Sequence, residues 1–434
     1  MAIDHVARLL ERHFPDSDGE LRIGRLSAGE VARRFGTPLF VYDAAVLDRS
    51  WMRLRQALPP EFAIYYSVKA NPNVAIVRHF VAKGAGLEVA SVGELRRALA
   101  AGCAARDVLF AGPGKTEDEL EQALLLDIGE IHVESEREAR RLGELTRRLG
   151  KRARVALRVN PAAEVQGGAM RMGGKPAPFG VDEEQIDDVL DVLLRDPGIE
   201  FRGIHQFSGT QILDSAVLAM QYRRGIEIAR RVAARVGRAL ATVDFGGGLG
   251  VPYFAAESEL DLDKLREEVA ALMVDVQGDA LLAGTRFLVE PGRFLVGEAG
   301  IYVTQVTDIK VSRGKTFVVV DGGMNHHLAA SGNLGQVIKR NFPIALVDRV
   351  RAERSETMDV VGPLCTPLDT LARDARLPPV RVGDLVGIFQ SGAYAMTASP
   401  VGFLSHPTPA EVLVDGDSAT LIRPRLAADA LLPS

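Results

Sequence analysis

Eight short runs rich in β-branched and aromatic residues recur between residues 62 and 290, and amphipathic helical patterns separate them. The runs are FAIYYSV (62–68), LEVA (87–90), DVLF (107–110), IHVE (131–134), RVALRVN (154–160), EFRGIHQF (200–207), TVDFG (242–246) and RFLVE (286–290). Stretches such as SVGELRRALAAG and SEREARRLGELTRRLG lie between them. Regular strand–helix alternation makes a parallel sheet with helices packed on it. Eight such units over roughly 230 residues predict an α/β fold, a closed (β/α)8 TIM barrel.

After residue 292 the texture becomes β-rich, as in AGIYVTQVTDIKVSRGKTFVVVDGG, where Ser-Arg-Gly-Lys reads as a hairpin turn between alternating strands. An early run, TPLFVYD (37–43), also reads as a strand. We therefore expect a barrel over 45–292 and a second, mainly β domain built from 293–434 and completed by 1–44. A chain of 434 residues is long enough for both cores.

The formal net charge of −5 argues against nucleic-acid binding, which needs a basic face. Cys103 and Cys365 form neither a CxxC pair nor a disulfide framework, so a reducing, cytoplasmic setting is expected. No stretch reaches the roughly 18 apolar residues of a membrane span, and MAIDHVARLLERHF does not read as a signal peptide.

Active sites of such barrels sit at the carboxyl ends of the strands. The first run ends in Tyr-Tyr-Ser-Val-Lys-Ala-Asn, which puts Lys69 at the mouth; apolar neighbours and nearby positive groups there would make it a Schiff-base nucleophile. Alone, a strand-end lysine is an ordinary surface charge. The seventh run leads into Gly246, Gly247 and Gly248, which let backbone N–H groups approach an anion where these barrels commonly bind phosphate. Alone, a glycine triplet is a tight turn. The eighth run ends in Glu-Pro-Gly-Arg (290–293), and an acid beside a guanidinium on the same rim suits a charged heterocycle with a phosphate tail. An amine, a phosphate cradle and an acid at one barrel end point together to a cofactor site.

The ordered motifs YYSVKAN, HQFSGTQ, FGGGLG, EPGR, GPLCTPLD and SGAYAM resemble the alanine-racemase-fold pyridoxal-phosphate decarboxylases, the diaminopimelate and ornithine/arginine decarboxylase family, over nearly the whole chain. The resemblance implies pyridoxal 5′-phosphate held by Lys69. It further implies that Gly246, Gly247, Gly248, Gly292, Arg293 and Tyr394 contact the cofactor, chiefly its phosphate. Glu290 would face the ring nitrogen, Arg158 would lie near the ring, and Phe207 would stand where relatives stack a histidine. It also implies a homodimer in which Cys365 enters the partner's site as the acid that reprotonates Cα, with Lys69 as the other candidate.

Three departures bear on the substrate. Phe207 offers an aromatic face without an imidazole's charge, and His205 lies two residues earlier on the same strand face. Thr366 follows Cys365 where relatives place an acid for a distal ammonium, so diaminopimelate, ornithine and lysine lose a charge partner; Asp369 lies near but reads as a structural residue. Residues 321–336 replace the arginine and tyrosine that clasp a distal carboxylate. This wording resembles the branch that includes exosortase-associated decarboxylases and enzymes acting on a carrier-protein-bound aminoacyl group. His326 and His327 would then contact tether or substrate, and as strand neighbours pointing to opposite faces they predict no shared metal site. Arg171 and Lys175, in the loop 167–180, would meet a phosphopantetheine or an acidic carrier surface. Diaminopimelate decarboxylation is the principal alternative; a racemase would need a second base, and a silent regulator would not need Lys69, Glu290 and Cys365 together.

Overall fold

The computed structural model describes residues 4–162, 170–171, 176–207, 209–336, 338–428 and 430. Two compact units partition the chain: Met52–Val251 with Glu259–Phe294, and Met1–Trp51 with Pro252–Ser258 and Leu295–Ser434.

The first unit is a closed barrel of eight parallel strands, which we number β1 (Phe62–Ser67), β2 (Gly86–Val89), β3 (Val108–Phe110), β4 (Glu130–Val133), β5 (Ala153–Asn160), β6 (Ile199–Gln206), β7 (Thr242–Asp244) and β8 (Arg286–Val289). Neighbours pair in chain order, and Val289 against Ile64 closes the ring. Strands covered on both faces read as near-continuous apolar runs, and β2, β3, β4 and β7 are buried at every position. A register shift in β6 between Phe201 and Gly203 brings Gly203 against β7. A Cβ there would lie 1.7 Å from the Thr242 carbonyl oxygen, so only glycine fits this bulge.

The helices begin where the sequence supplies caps. Ser91 accepts from the Glu94 N–H at 3.2 Å to start Val92–Ala100, Ser135 accepts from Glu138 at 3.1 Å to start Glu136–Leu149, and Gly150 ends the latter in the left-handed region. Among the described residues no helix is long and apolar enough to cross a membrane.

The second unit is mainly β. Its long strand Gly300–Ser312 pairs antiparallel with Leu39–Asp43, with Leu385–Ile388 and with Lys315–Val320. The hairpin to Lys315–Val320 turns through Arg313 and Gly314, both at positive φ, as a two-residue turn of primed type requires. Leu39–Asp43 also pairs in parallel with Ala410–Val414, so residues from both ends of the chain share one sheet.

Candidate active site

At the carboxyl end of β1 the chain enters a short 3-10 turn, Val68–Ala70, that carries Lys69. The Lys69 side chain is about half exposed, at 48%, and its Nζ donates to both carboxylate oxygens of Glu88 at 3.1 Å. Glu88, on β2, is buried and also accepts from the Ser67 hydroxyl at 2.5 Å. The charge that bonds Lys69 here is thus a carboxylate, where the sequence reading expects positive groups. Strand alternation turns Glu88 into the barrel mouth beside the lysine.

Beyond β7 the backbone turns through Gly246 and Gly248 at φ +66° and +107°. Asp244 accepts from the Gly246 N–H at 2.8 Å and holds the turn. A Cβ on Gly246 would fall 2.9 Å from Phe207 Cδ2, one on Gly247 2.6 Å from the Glu290 carbonyl oxygen, and one on Gly248 3.1 Å from the Gly209 carbonyl oxygen. The cradle can therefore exist only without side chains, and Phe207, half-buried, lies against it. Gly292 lies as tightly, since a Cβ there would be 2.9 Å from Ala70 Cβ and 3.2 Å from Ser67 Cβ. The Ser67 N–H donates to the Pro291 carbonyl at 3.2 Å, so the turns that carry Lys69 and Glu290–Arg293 are bonded together.

Glu290 is 5% exposed, and its Oε1 makes no hydrogen bond among the described residues. Its Oε2 lies 3.4 Å from His205 Nε2. Burial drives its carboxyl upward, but His205, His132 and Lys69 outweigh burial and hold Glu290 below the usual carboxylate range. Asp244 goes the other way: burial and the charge of Glu290 raise it well above the usual range. Burial takes His205 down to about 4, so this imidazole is neutral near pH 7. It lies against Glu290 and is 1% exposed, which makes it a poor substitute for a charged stacking histidine.

Arg158 is buried and donates to Glu134 at 2.8 Å, with its guanidinium 5.2 Å from the Phe179 ring centroid. Glu134 also accepts from the Gly112 and Gly180 N–H groups, at 2.6 and 3.1 Å. Burial raises the Glu134 carboxyl, and Arg158, Lys115 and these bonds more than reverse that. Glu88 and Glu134 were missed in the sequence, although both stand at or next to a recognisable strand end. The side chains of Arg171 and Lys175 lie outside the described residues.

In the second unit Cys365 is exposed and Tyr394 is half-buried at positive φ. Thr366 caps a turn by accepting from the Leu368 N–H at 3.3 Å. Both carboxylate oxygens of Asp369 accept backbone N–H groups, from Met324 at 2.6 Å and Leu364 at 2.8 Å, so this acid clamps the Cys365 loop to residues 323–324. His326 and His327 stand in turns rather than on a strand, and both are buried, at 2% and 0% exposure. His326 bonds the Tyr302 hydroxyl at 3.0 Å and the Pro407 carbonyl at 2.9 Å, and His327 bonds the Ser391 hydroxyl at 2.9 Å. The sequence reading that places them against tether or substrate is corrected: they are hydrogen-bonded core residues.

The barrel groups fit pyridoxal phosphate: an amine at the mouth, a glycine cradle that no Cβ can enter, and a buried carboxylate oxygen without a bond among the described residues. Comparison with known proteins agrees. Residues 44–297 match the family model for the pyridoxal binding domain of pyridoxal-dependent decarboxylases. The chain is 40% identical to the L-glutamyl-[BtrI acyl-carrier protein] decarboxylase of Niallia circulans, over 92% of this chain and 94% of that one. It is 35% identical to the diaminopimelate decarboxylase of Methanothermobacter thermautotrophicus, over 95% of each. The crystal structure of a diaminopimelate decarboxylase from M. jannaschii with L-lysine superposes with a TM-score of 0.88 at 28% identity, over 96% of each chain.

Proposed function

Because this chain belongs to the pyridoxal-dependent decarboxylases, and so is a pyridoxal-phosphate-dependent carboxy-lyase of an amino acid or aminoacyl group, we propose that its substrate is an aminoacyl group, first a glutamyl group, carried on an acyl-carrier protein. The observation that carries this reading is Asp369. Thr366 is neutral, and Asp369 already spends both oxygens on backbone N–H groups, so the Cys365 loop has no free carboxylate for a distal ammonium. A buried ammonium without a partner is disfavoured by several kcal/mol. The higher identity to a carrier-protein glutamyl decarboxylase supports the same substrate class.

Bound pyridoxal phosphate accepts the electron pair left at Cα when CO2 departs. In this reading Lys69 holds the cofactor, and Glu88, at 3.1 Å, takes the proton that the Lys69 ammonium gives up. Ser67 and its bond to Glu88 fix that carboxylate. Gly246, Gly247, Gly248, Gly292, Arg293 and Tyr394 hold the phosphate, and Phe207 gives the ring an apolar face. Glu290, charged and buried, keeps a proton on the ring nitrogen. Glu134 fixes Arg158, which would lie near the ring of the bound cofactor. Exposed Cys365 returns a proton to Cα across a homodimer interface.

Diaminopimelate is the second candidate, favoured by the 35% identity over 95% of the chain. Purified, cofactor-loaded protein should be offered glutamyl-carrier protein, free glutamate, meso-diaminopimelate, ornithine and lysine, and each product examined for a CO2-sized mass loss. Loss from the glutamyl-carrier protein is expected; loss from free diaminopimelate would overturn the substrate reading and leave the cofactor reading intact.

A further inference from the structure

Branched apolar side chains ordinarily fill the interior of a (β/α)8 barrel, and here Tyr65, Leu109 and Leu288 form such a cluster. The same interior also holds five titratable side chains, each 5% exposed or less: Glu130 and His132 on β4, His205 on β6, Asp244 on β7, and Glu290 just after β8. Three carboxylates and two imidazoles cost more to bury than apolar residues of the same size. The fold does not saturate them. Both ring nitrogens of His132 and of His205, Glu130 Oε1, Asp244 Oδ2 and Glu290 Oε1 make no hydrogen bond of good geometry among the described residues.

Their charged groups face one another within 4.0 Å, and His132 is the hub. Its Nδ1 lies 4.0 Å from Glu290 Oε1, while its Nε2 lies 3.3 Å from Glu130 Oε1 and 3.8 Å from Asp244 Oδ2. The His132 and His205 ring centroids are 4.3 Å apart. Buried Lys115 donates to the His132 carbonyl at 2.7 Å and to Glu138 at 2.6 Å, which fixes the strand that carries the hub. At the far side Glu130 accepts from the Thr242 hydroxyl at 2.7 Å and faces Arg202 at 3.9 Å, whose side chain is one-third exposed, at 34%.

We propose that His132 is a positioning residue, which bridges Glu290 to Glu130 and Asp244 so that this cluster keeps a proton off Glu290. The inference rests on the reading of Glu290 as the ring-nitrogen partner. Around the hub, Glu130 faces it along its own strand, Asp244 from β7, Glu290 from the β8 end and His205 from β6. Arg158, Lys69 and Arg202 act on these neighbours from further out. Burial and the charge of Glu290 raise Asp244, while His205, and His132 after it, lower Glu290, so a proton in this cluster sits on Asp244 rather than on Glu290.

The test compares His132→Leu, His132→Gln and Glu130→Gln with Glu290→Gln in cofactor-loaded protein. It reads the visible absorption of bound pyridoxal phosphate against pH, its dissociation constant, and kcat and KM separately. His132→Leu should lower kcat about tenfold, leave KM within about twofold, and move the pH at which the absorption changes. His132→Gln, which keeps a polar side chain at the hub, should recover part of the loss. If His132→Leu fails to fold, Glu130→Gln reports on the same bridge. An unchanged absorption–pH curve in all three variants beside an altered Glu290→Gln curve overturns the proposal and leaves the Glu290 reading standing. An unaltered Glu290→Gln curve instead removes the premise. His132, His205, Asp244 and Glu290 also bring ligand atoms within 4.8 Å of one another. Stoichiometric metal that is retained through purification and lost in His132→Leu would replace the bridge with a metal site.

Discussion

Each unit of this protein buries one pair of histidines to 2% exposure or less, and these two pairs are held in opposite ways. His326 and His327, in the second unit, are bonded to neutral partners: the Tyr302 and Ser391 hydroxyls and the Pro407 carbonyl. His132 and His205, in the barrel, face carboxylates at 3.3 to 4.0 Å and make no hydrogen bond of good geometry among the described residues. Burial does not separate the pairs, since all four are 2% exposed or less. What separates them is whether the surroundings finish the hydrogen bonds. A finished buried group stabilises the fold, and an unfinished one facing charge costs stability that a site can use.

The contrast breaks most directly at Lys69. Lys69→Ala should lower kcat at least about a thousandfold and abolish the visible absorption of attached cofactor, because it removes the amine that holds it; thermal unfolding should scarcely move, as the side chain is half exposed. Glu290→Gln should lower kcat about a hundredfold, again with little loss of Tm, because a neutral amide cannot hold the ring-nitrogen proton. A large fall in Tm without a kinetic effect would erase the distinction between the units.

In the second unit the order should reverse. Asp369→Ala leaves the Met324 and Leu364 N–H groups without acceptors and should cost about 2 kcal/mol in denaturant unfolding. The second-unit histidines predict a pH-dependent effect. Burial takes His326 to about 4 and His327 to about 3, from 6.5. The unfolded chain therefore takes up protons first, so their contribution is complete above pH 6.5 and falls as acid is added, until the folded values are reached. The expected slope is about 1.4 kcal/mol per pH unit for each. Urea midpoints between pH 7 and pH 5 measure it, and His327→Gln should flatten the curve.

Much of the barrel was legible because strands buried on both faces announce themselves: all eight runs became strands, with ends within a residue or two. The rim positions of Lys69, Gly246, Gly247, Gly248 and Glu290 were legible because strand ends mark the rim. Glu88, His132 and Glu134 were not, since an acid or imidazole within or beside a short strand points inward or outward by a parity that one residue of register reverses. His326 and His327 misled for a related reason. They were read as strand neighbours, and the chain instead turns there and folds both rings into the core. Asp369 went the other way: its place in GPLCTPLD suggested a structural part, and its two backbone bonds fill it.

Leu39–Asp43 sits between Gly300–Val303 and Ala410–Val414 in one sheet. On a ribosome that strand emerges early and waits, with one edge unpaired until residues 300–303 appear and the other until residues 410–414 do. The eight barrel strands need nothing beyond Val289. Synthesis thus imposes an order: the barrel is free to close while the second sheet still exposes the edges of a five-residue, mostly apolar strand, the segment on which a chaperone or a second nascent chain would act first.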